Sequence, residues 1–578
     1  LFQQSGGTHN TPHLTIGDKD TVAATYDLSG GVLKTDLTAI ANNYYGATTG
    51  MMNHRGGMHE TGILGLGSFS GNVGTYNLLS TGSLTAAQVK VGEEGTGVFN
   101  QSGGTATVTE FKLGTWTTGT GRAELSGGQL NANYLTVGER GDGSFKQTGG
   151  TVRTDYLQVL YHEAEAGKQA SYSLSGGMLQ SYWLSVGNGV SSAEARFEQT
   201  GGNVEADSVG INGSTGKSNY AMSGGTLSTQ SLAVFGKYST MDHSGGTVTV
   251  NDLDDGVSGS LLVSGAGANY RLSGTGVVRA SEAVIYLGGS FDLSASGSLL
   301  TERTKVGYFG PAPESSFVQN GGHHQTGTLA VGSSGGTGRY ILHGGMLDAT
   351  GLGLTLSLGD GGTGAFVQNG GTVNAGWMFV GDGSGGQGKY DLNGGTLNTA
   401  WEAVVGFSTG TTGVFNQTGG THNALNVLLV GYRGNGTYNL SGPAVLNVSG
   451  TSGVGGYGGT GTFNQSGGTH TTSQVAIGSA GTYRLDGGTL NAGSVVNQGT
   501  LHLAGGSLNT ASIDNRGALS VVATGARSLT TNLDNQGTVD IGGGGSFTFN
   551  GNVVNQASGN VHLHNAGGSV FNGEVVNH

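Results

Sequence analysis

A glycine pair that follows a short aromatic segment returns along this chain at a nearly constant interval. It stands in LFQQSGGTH at 1–9, GVFNQSGGT at 97–105, GSFKQTGGT at 143–151, GAFVQNGGT at 364–372, GVFNQTGGTH at 413–422 and GTFNQSGGTH at 461–470. A second form lies between these, as in YSLSGGML, YAMSGGTL, YDLNGGTL and YRLDGGTL. From the first pair at residue 6 to the pair at 487 the mean interval is about 24 residues. One unit of that size cannot cover its own apolar face, so units must stack on one another. The choice narrows to a solenoid, a propeller or an array.

Each unit reads as three short strands. The first is aromatic (TYNLS, VFNQS), and the glycine pair turns the chain because one or both residues need φ > 0. The second strand is GTLNT or GTHNT. The third is an apolar run closed by glycine: LTIG 14–17, VKVG 89–92, LTVG 135–138, LSVG 184–187, LAVG 329–332, LLVG 428–431 and VAIG 475–478. No segment has a 3.6-residue apolar period. A propeller blade needs four strands and about 40 residues, so the expected fold is an all-β, right-handed, three-sided parallel β-helix (β-solenoid). At about 4.8 Å per coil, about 25 coils make a rod of about 120 Å; the hand follows the parallel crossover rule.

Alternation along a strand puts the aromatic and the residue two later on one face. In Tyr units that second slot holds Leu28, Leu125, Leu174, Met222, Leu272, Leu342, Leu392, Leu440 and Leu485, so the face is expected to look inward. The aromatic slot then becomes a buried column from Phe2 and Tyr26 to Tyr483, interrupted by Met52, Ala123 and Met241. Gln4, Gln101, Gln147, Gln199, Gln319, Gln368, Gln417 and Gln465 share the inward face. An unpartnered buried amide costs about 1–3 kcal/mol, so each should bond the turn backbone or a tyrosine hydroxyl of the next coil. Alternating polar and apolar layers would penalise slippage by one coil. On this reading Leu440→Gln is more damaging than Gln417→Leu. The alternation slips near 251–300, where Phe291-Asp-Leu293 follows Tyr270-Arg-Leu272 directly, and an irregularity is expected there.

The 24-residue coils occupy 1–490. Over 491–578 the period shortens to about 20 residues, a continuation of the same helix. VVNQG 495–499, IDNRG 513–517, LDNQG 533–537, VVNQA 553–557 and VVNH 575–578 place Asn497, Asn515, Asn535, Asn555 and Asn577 in one slot, an expected amide ladder.

Units of the FNQSGGT and YNLSGGTL types with LxVG strands resemble the passenger-associated repeats of bacterial autotransporters and related large surface proteins. The resemblance covers nearly the whole chain and implies a pectin-lyase-like β-helix, bacterial secretion and an adhesive or structural surface role. This chain lacks a recognisable translocator barrel.

Composition agrees with export and narrows the partners. Glycine accounts for 119 of 578 residues, but with four prolines and no G-X-Y period collagen is excluded. A net charge of −13 with no basic run argues against nucleic acid and anionic membranes. No apolar stretch reaches the length of a spanning helix, which excludes membrane insertion by helix. Cysteine is absent, so thiolate and disulfide chemistry are unavailable. Residue 1 falls inside a repeat with no signal peptide before it, so a processed piece of a longer precursor is expected.

No catalytic, cofactor or metal residue is assigned. His9, His59, His324, His422 and His470 share the second slot after the glycine pair, where other coils have Ala106, Val152, Val204, Val248 and Val373. They read as buried core histidines, too far apart at two coils' separation to share a metal, and the pair His323-His324 points to opposite faces. Asp360 and Asp382 are candidates to share a calcium, but the same slot holds Glu93, Glu139, Asn188, Ser333 and Phe407, and the calcium-binding nonapeptide is missing. NDLDDG at 251–256 is the densest carboxylate cluster, without an accompanying His or Arg motif for glycoside cleavage. GVGGYGGTG at 453–461 has no Lys-Ser/Thr and is not a phosphate loop. Thr105, Thr151, Thr226, Thr247, Thr372, Thr396, Thr421, Thr469 and Thr489 form an outward column that could suggest ice binding, though threonine is an ordinary strand residue.

The expected function is therefore a non-enzymatic, extracellular or cell-surface structural or adhesive rod, its partners surface glycans, neighbouring cells or further copies joined head to tail as a filament. A polysaccharide-binding or polysaccharide-cleaving β-helix is the alternative, and an ice-binding solenoid a lesser one.

Overall fold

The computed structural model describes residues 1–19, 23–161, 164–187, 192–251, 259–349 and 355–578. All helical or extended segments among them are strands, and the chain is a parallel β-solenoid of about 23 turns. Two compact units divide it: Leu1–Ala283 with Gly289–Phe291 and Ser296–Ser298, and Val284–Gly288 with Asp292–Ala295 and Leu299–His578.

In the first unit a coil opens on a six-residue strand such as Thr96–Gln101, followed by a nine-residue strand such as Thr105–Leu113. The expected second and third strands are joined here into one bent element. Ala106, Val108, Phe111 and Leu113 are buried while consecutive Thr109 and Glu110 both face outward, which marks the corner. Thr109 is skipped in the pairing with Gln129–Val137, which resumes at Glu110↔Tyr134. In part of the second unit the two segments separate, as Thr372–Ala375 and Trp377–Asp382, while other coils there keep them joined, as in Val445–Val454.

The aromatic slot is in register from coil to coil. In the second unit Phe317, Tyr340, Phe366, Tyr390, Phe415, Tyr438, Phe463 and Tyr483 pair in succession. Their rings lie 4.6–4.9 Å apart and within 10° of parallel, all fully buried. Offset stacking of this kind adds to the burial of the ring surface. Beyond Tyr483 the slot holds Leu501, Leu519 and Val539 at intervals of 18 to 20 residues. The rings move to another segment of these shorter coils, where Phe547 and Phe549 are buried.

The turn at the glycine pair needs φ > 0 at its second member only. Gly420 has φ 64°, and a Cβ on its partner Gly419 would strike the carbonyl of Asn393 in the preceding coil. Gly431, which closes the third segment, has φ 75° and packs against the backbone of Thr460 so closely that no side chain fits.

The break at Ala123 is filled from another strand. Phe111 is fully buried, edge-on to Phe99 at 5.0 Å and 6.5 Å from Phe145, in the ring space between those two coils. Tyrosine at 123 alone should therefore overpack and destabilise by about 1–3 kcal/mol. Phe111→Leu combined with Ala123→Tyr should recover most of that loss in denaturant melts.

Candidate functional site

The polar chemistry of the interior is concentrated in a clasp that spans adjacent coils. Gln417 donates from Nε2 to the carbonyl of Gly420 in its own turn (3.3 Å) and to that of Val445 in the next coil (2.9 Å). Its Oε1 accepts from the Tyr438 hydroxyl at 2.7 Å. Gln4, Gln147, Gln199, Gln319, Gln368 and Gln465 repeat this with Tyr26, Tyr172, Tyr220, Tyr340, Tyr390 and Tyr483. Both partners foreseen for the buried glutamine are used at once, by opposite ends of the amide. Gln101 is the exception: residue 123 in the next coil is alanine, and Gln101 Oε1 is buried without a partner.

The inward histidines extend the clasp. His422 Nδ1 lies 3.1 Å from the Tyr438 oxygen, and the ring stacks on Phe415 at 5.3 Å. Because the tyrosine proton goes to Gln417, Nδ1–H must be the donor to the tyrosine oxygen, which leaves Nε2 as an acceptor. At His422 the Thr399 hydroxyl supplies that proton (3.4 Å), and Nε2 of His59, His324 and His470 likewise faces a hydroxyl, that of Thr38 (3.0 Å), Thr304 (3.0 Å) or Ser452 (2.9 Å), of which Ser452 gives its own proton to Thr472 (3.1 Å). Burial pushes the pKa values of His59, His324, His422 and His470 down to about 3, with smaller contributions from His54, His323 and, for His470, His422. These rings are neutral. His323 faces outward to Asp348 Oδ2 at 2.8 Å while its neighbour His324 is buried.

Two clasp residues escape a reading of the sequence alone. His54 and His243 occupy the glutamine slot in the coils whose aromatic is Met52 or Met241. The ring does the work of the amide: His54 bonds the Gly57 carbonyl (3.1 Å) and the Tyr76 hydroxyl (2.8 Å), and His243 bonds Gly246 (3.2 Å) and Tyr270 (3.0 Å). The available signal is the paired change at two positions, Met for the aromatic and His for Gln. A second signal is the hydroxyl that replaces an apolar residue one coil before an inward histidine, as Thr304 does before His324 and Ser452 before His470.

Asparagines form further ladders. Asn497, Asn515, Asn535, Asn555 and Asn577 are linked by Nδ2–H to Oδ1 bonds of 2.7 Å. Asn497 Oδ1 has no donor because the preceding coil holds Ile477 in that slot. Outward ladders run through Asn53, Asn77 and Asn100, through Asn374, Asn398, Asn423 and Asn447, and through Asn416, Asn439 and Asn464. Each ends on an aspartate, respectively Asp27, Asp348 and Asp391, which accepts the last amide proton at 2.7–2.8 Å.

The remaining candidates are dispersed. Asp360 and Asp382 pair in register, and burial together with the Asp382 charge raises the Asp360 pKa. Asp382 accepts from the Gly383 amide (2.7 Å) and Ser408 (3.1 Å). Among the described residues no three His, Cys, Asp or Glu side chains converge as metal ligands. In NDLDDG, residues 252–256 lie outside the described residues, as does Asn188. The threonine column is half-buried at most of its positions and is broken by Gln129, Met178 and Asn203. No helix among the described residues is long and apolar enough to cross a membrane.

In comparisons with protein families, curated proteins and solved structures, this chain matches none.

Proposed function

We propose that the chain is a non-enzymatic structural or adhesive solenoid of a bacterial surface, of the kind its repeats resemble in autotransporter passengers. The observation that carries this reading is the use of the buried polar groups. Glutamine, tyrosine, histidine and threonine bond one another and the turn backbone across neighbouring coils, with histidines held neutral and out of contact with solvent. Such groups hold coils in register and have no route to a substrate. Extracellular display suits a chain without cysteine whose outward polar ladders are mostly uncharged.

The test compares adhesion with turnover. Beads coated with the purified chain are expected to be retained on bacterial or host-cell surfaces above albumin-coated beads, with no release of reducing sugar from soluble polysaccharides. Sugar release that persists after repurification would overturn the non-enzymatic reading, and retention equal to albumin would overturn the adhesive one.

A further inference from the structure

Outside the clasps, the first unit carries a groove of about 690 Å³ that follows the corner between the second and third strand segments. One side is an outward column in register, Asn131, Arg153, Gln180 and Glu205. The other side includes Asp155 and Tyr182, and small residues such as Ala132 and Ala206 line it as well. The polar side chains are aligned by one another: Arg153 Nε donates to Gln180 Oε1, and Gln180 Nε2 to Glu205 Oε2, both at 2.8 Å. Asn133 holds Asp155 in the same way at 2.8 Å.

Tyr182 lines this groove, and further aromatic rings stand beside it. Tyr134, Tyr156 and Trp183 occupy one slot in register, and Tyr134 stacks on Tyr156 at 5.2 Å. Tyr182 stands nearly perpendicular to Tyr156, at 74°, and is 58% exposed. Its ring is thus braced before any ligand arrives, which lowers the cost of ordering it on binding. A concave strip that combines an exposed aromatic face with aligned hydrogen-bonding side chains has the composition of a ligand site.

We propose that this groove binds a neutral polysaccharide, with a pyranose ring stacked on Tyr182 and its hydroxyls bonded to Asn131, Arg153, Asp155 and Gln180. A sugar ring offers an apolar C–H face to the aromatic and a rim of hydroxyls to amide, guanidinium and carboxylate groups. The groove runs past coils from Thr107 to Ser228, and five steps of about 4.8 Å give about 24 Å, the length of an oligosaccharide and not of a single sugar. Asp155, Glu205 and Asp207 outnumber Arg153 along it, so a polyuronate meets net repulsion while a neutral chain does not. This binding function goes beyond the structural role proposed above and does not depend on it.

Affinity electrophoresis of the full chain in gels containing β-glucan, xylan, mannan, dextran or polygalacturonate tests the proposal. Retardation by at least one neutral polymer is expected, with none by polygalacturonate. Tyr182→Ala and Arg153→Ala should each weaken that retardation constant by about tenfold, whereas Tyr45→Ala, at an exposed aromatic away from the groove, should leave it unchanged. Matching thermal melts establish that the variants are folded. Absence of retardation by all four neutral polymers, stronger retardation by polygalacturonate, or full retention of binding by a folded Tyr182→Ala protein would each overturn the proposal.

Discussion

Between pH 7 and pH 5 the folded chain should lose on the order of 2 kcal/mol of local stability for each fully buried histidine. His59, His324, His422 and His470 are wholly buried and held neutral, with pKa values lowered from the usual 6.5 to about 3. The unfolded chain therefore binds more protons than the folded one across that interval. The stabilisation from a neutral ring is complete above pH 6.5 and is lost progressively as pH falls toward 3. At His422 protonation would also place a second N–H on Nε2, where the Thr399 hydroxyl donates, so two donors would face each other. The window from pH 7 to pH 5 isolates this effect, because most carboxylates titrate lower. Hydrogen exchange should show the histidine coils opening first, and His422→Val, which copies Val373 of another coil, should flatten the pH dependence around residue 422. Equal protection of that coil at pH 7 and pH 5 would refute the mechanism.

Gln417→Leu should destabilise by about 3 kcal/mol or more, and Leu440→Gln by less. This reverses the order expected from the sequence. Replacing Gln417 leaves the Tyr438 hydroxyl proton without its acceptor and takes the amide donor from the Gly420 and Val445 carbonyls. Each buried group orphaned in this way costs about 1–3 kcal/mol. Leu440→Gln adds an amide between Gln417 and Gln465 in the register, and the next aromatic, Phe463, has no hydroxyl to offer its oxygen. That single orphan is the situation the fold already tolerates at Gln101. Combining Gln417→Leu with Tyr438→Phe and His422→Val removes the whole network and should recover much of the loss in urea melts. Costs that simply add in the combined variant would show that the groups are not coupled.

Periodicity made the parallel solenoid legible, together with the inward face of the aromatic strand and the burial of the histidine slot at His59, His324, His422 and His470; His9, in the same slot, is only half-buried. These follow from local rules: a strand alternates its faces, a glycine pair turns the chain, and a repeat that cannot cover itself must stack. The clasp was only half legible. That Gln417 needed partners followed from burial, but the direction of each bond depends on which atom of the next coil lies opposite. His54 and His243 are not legible because a histidine in a glutamine slot resembles a lapse in the repeat until Gly57 and Tyr76, or Gly246 and Tyr270, are seen around it. The bent strand that joins the second and third segments is likewise unmarked in the sequence, since a corner made by consecutive outward residues Thr109 and Glu110 needs no turn residue.

The sequence by itself determined the stacking and the identity of the inward slots, because register in a parallel solenoid is set by repetition of one side-chain pattern. Tertiary structure alone decided how gaps in the pattern are closed. Phe111 crosses from another strand to fill the space at Ala123, and Tyr182 is braced beside the corner groove by Tyr156. Both depend on distances between strands about 12 or more residues apart in the chain, and only the stacked coils place such residues within reach of one another.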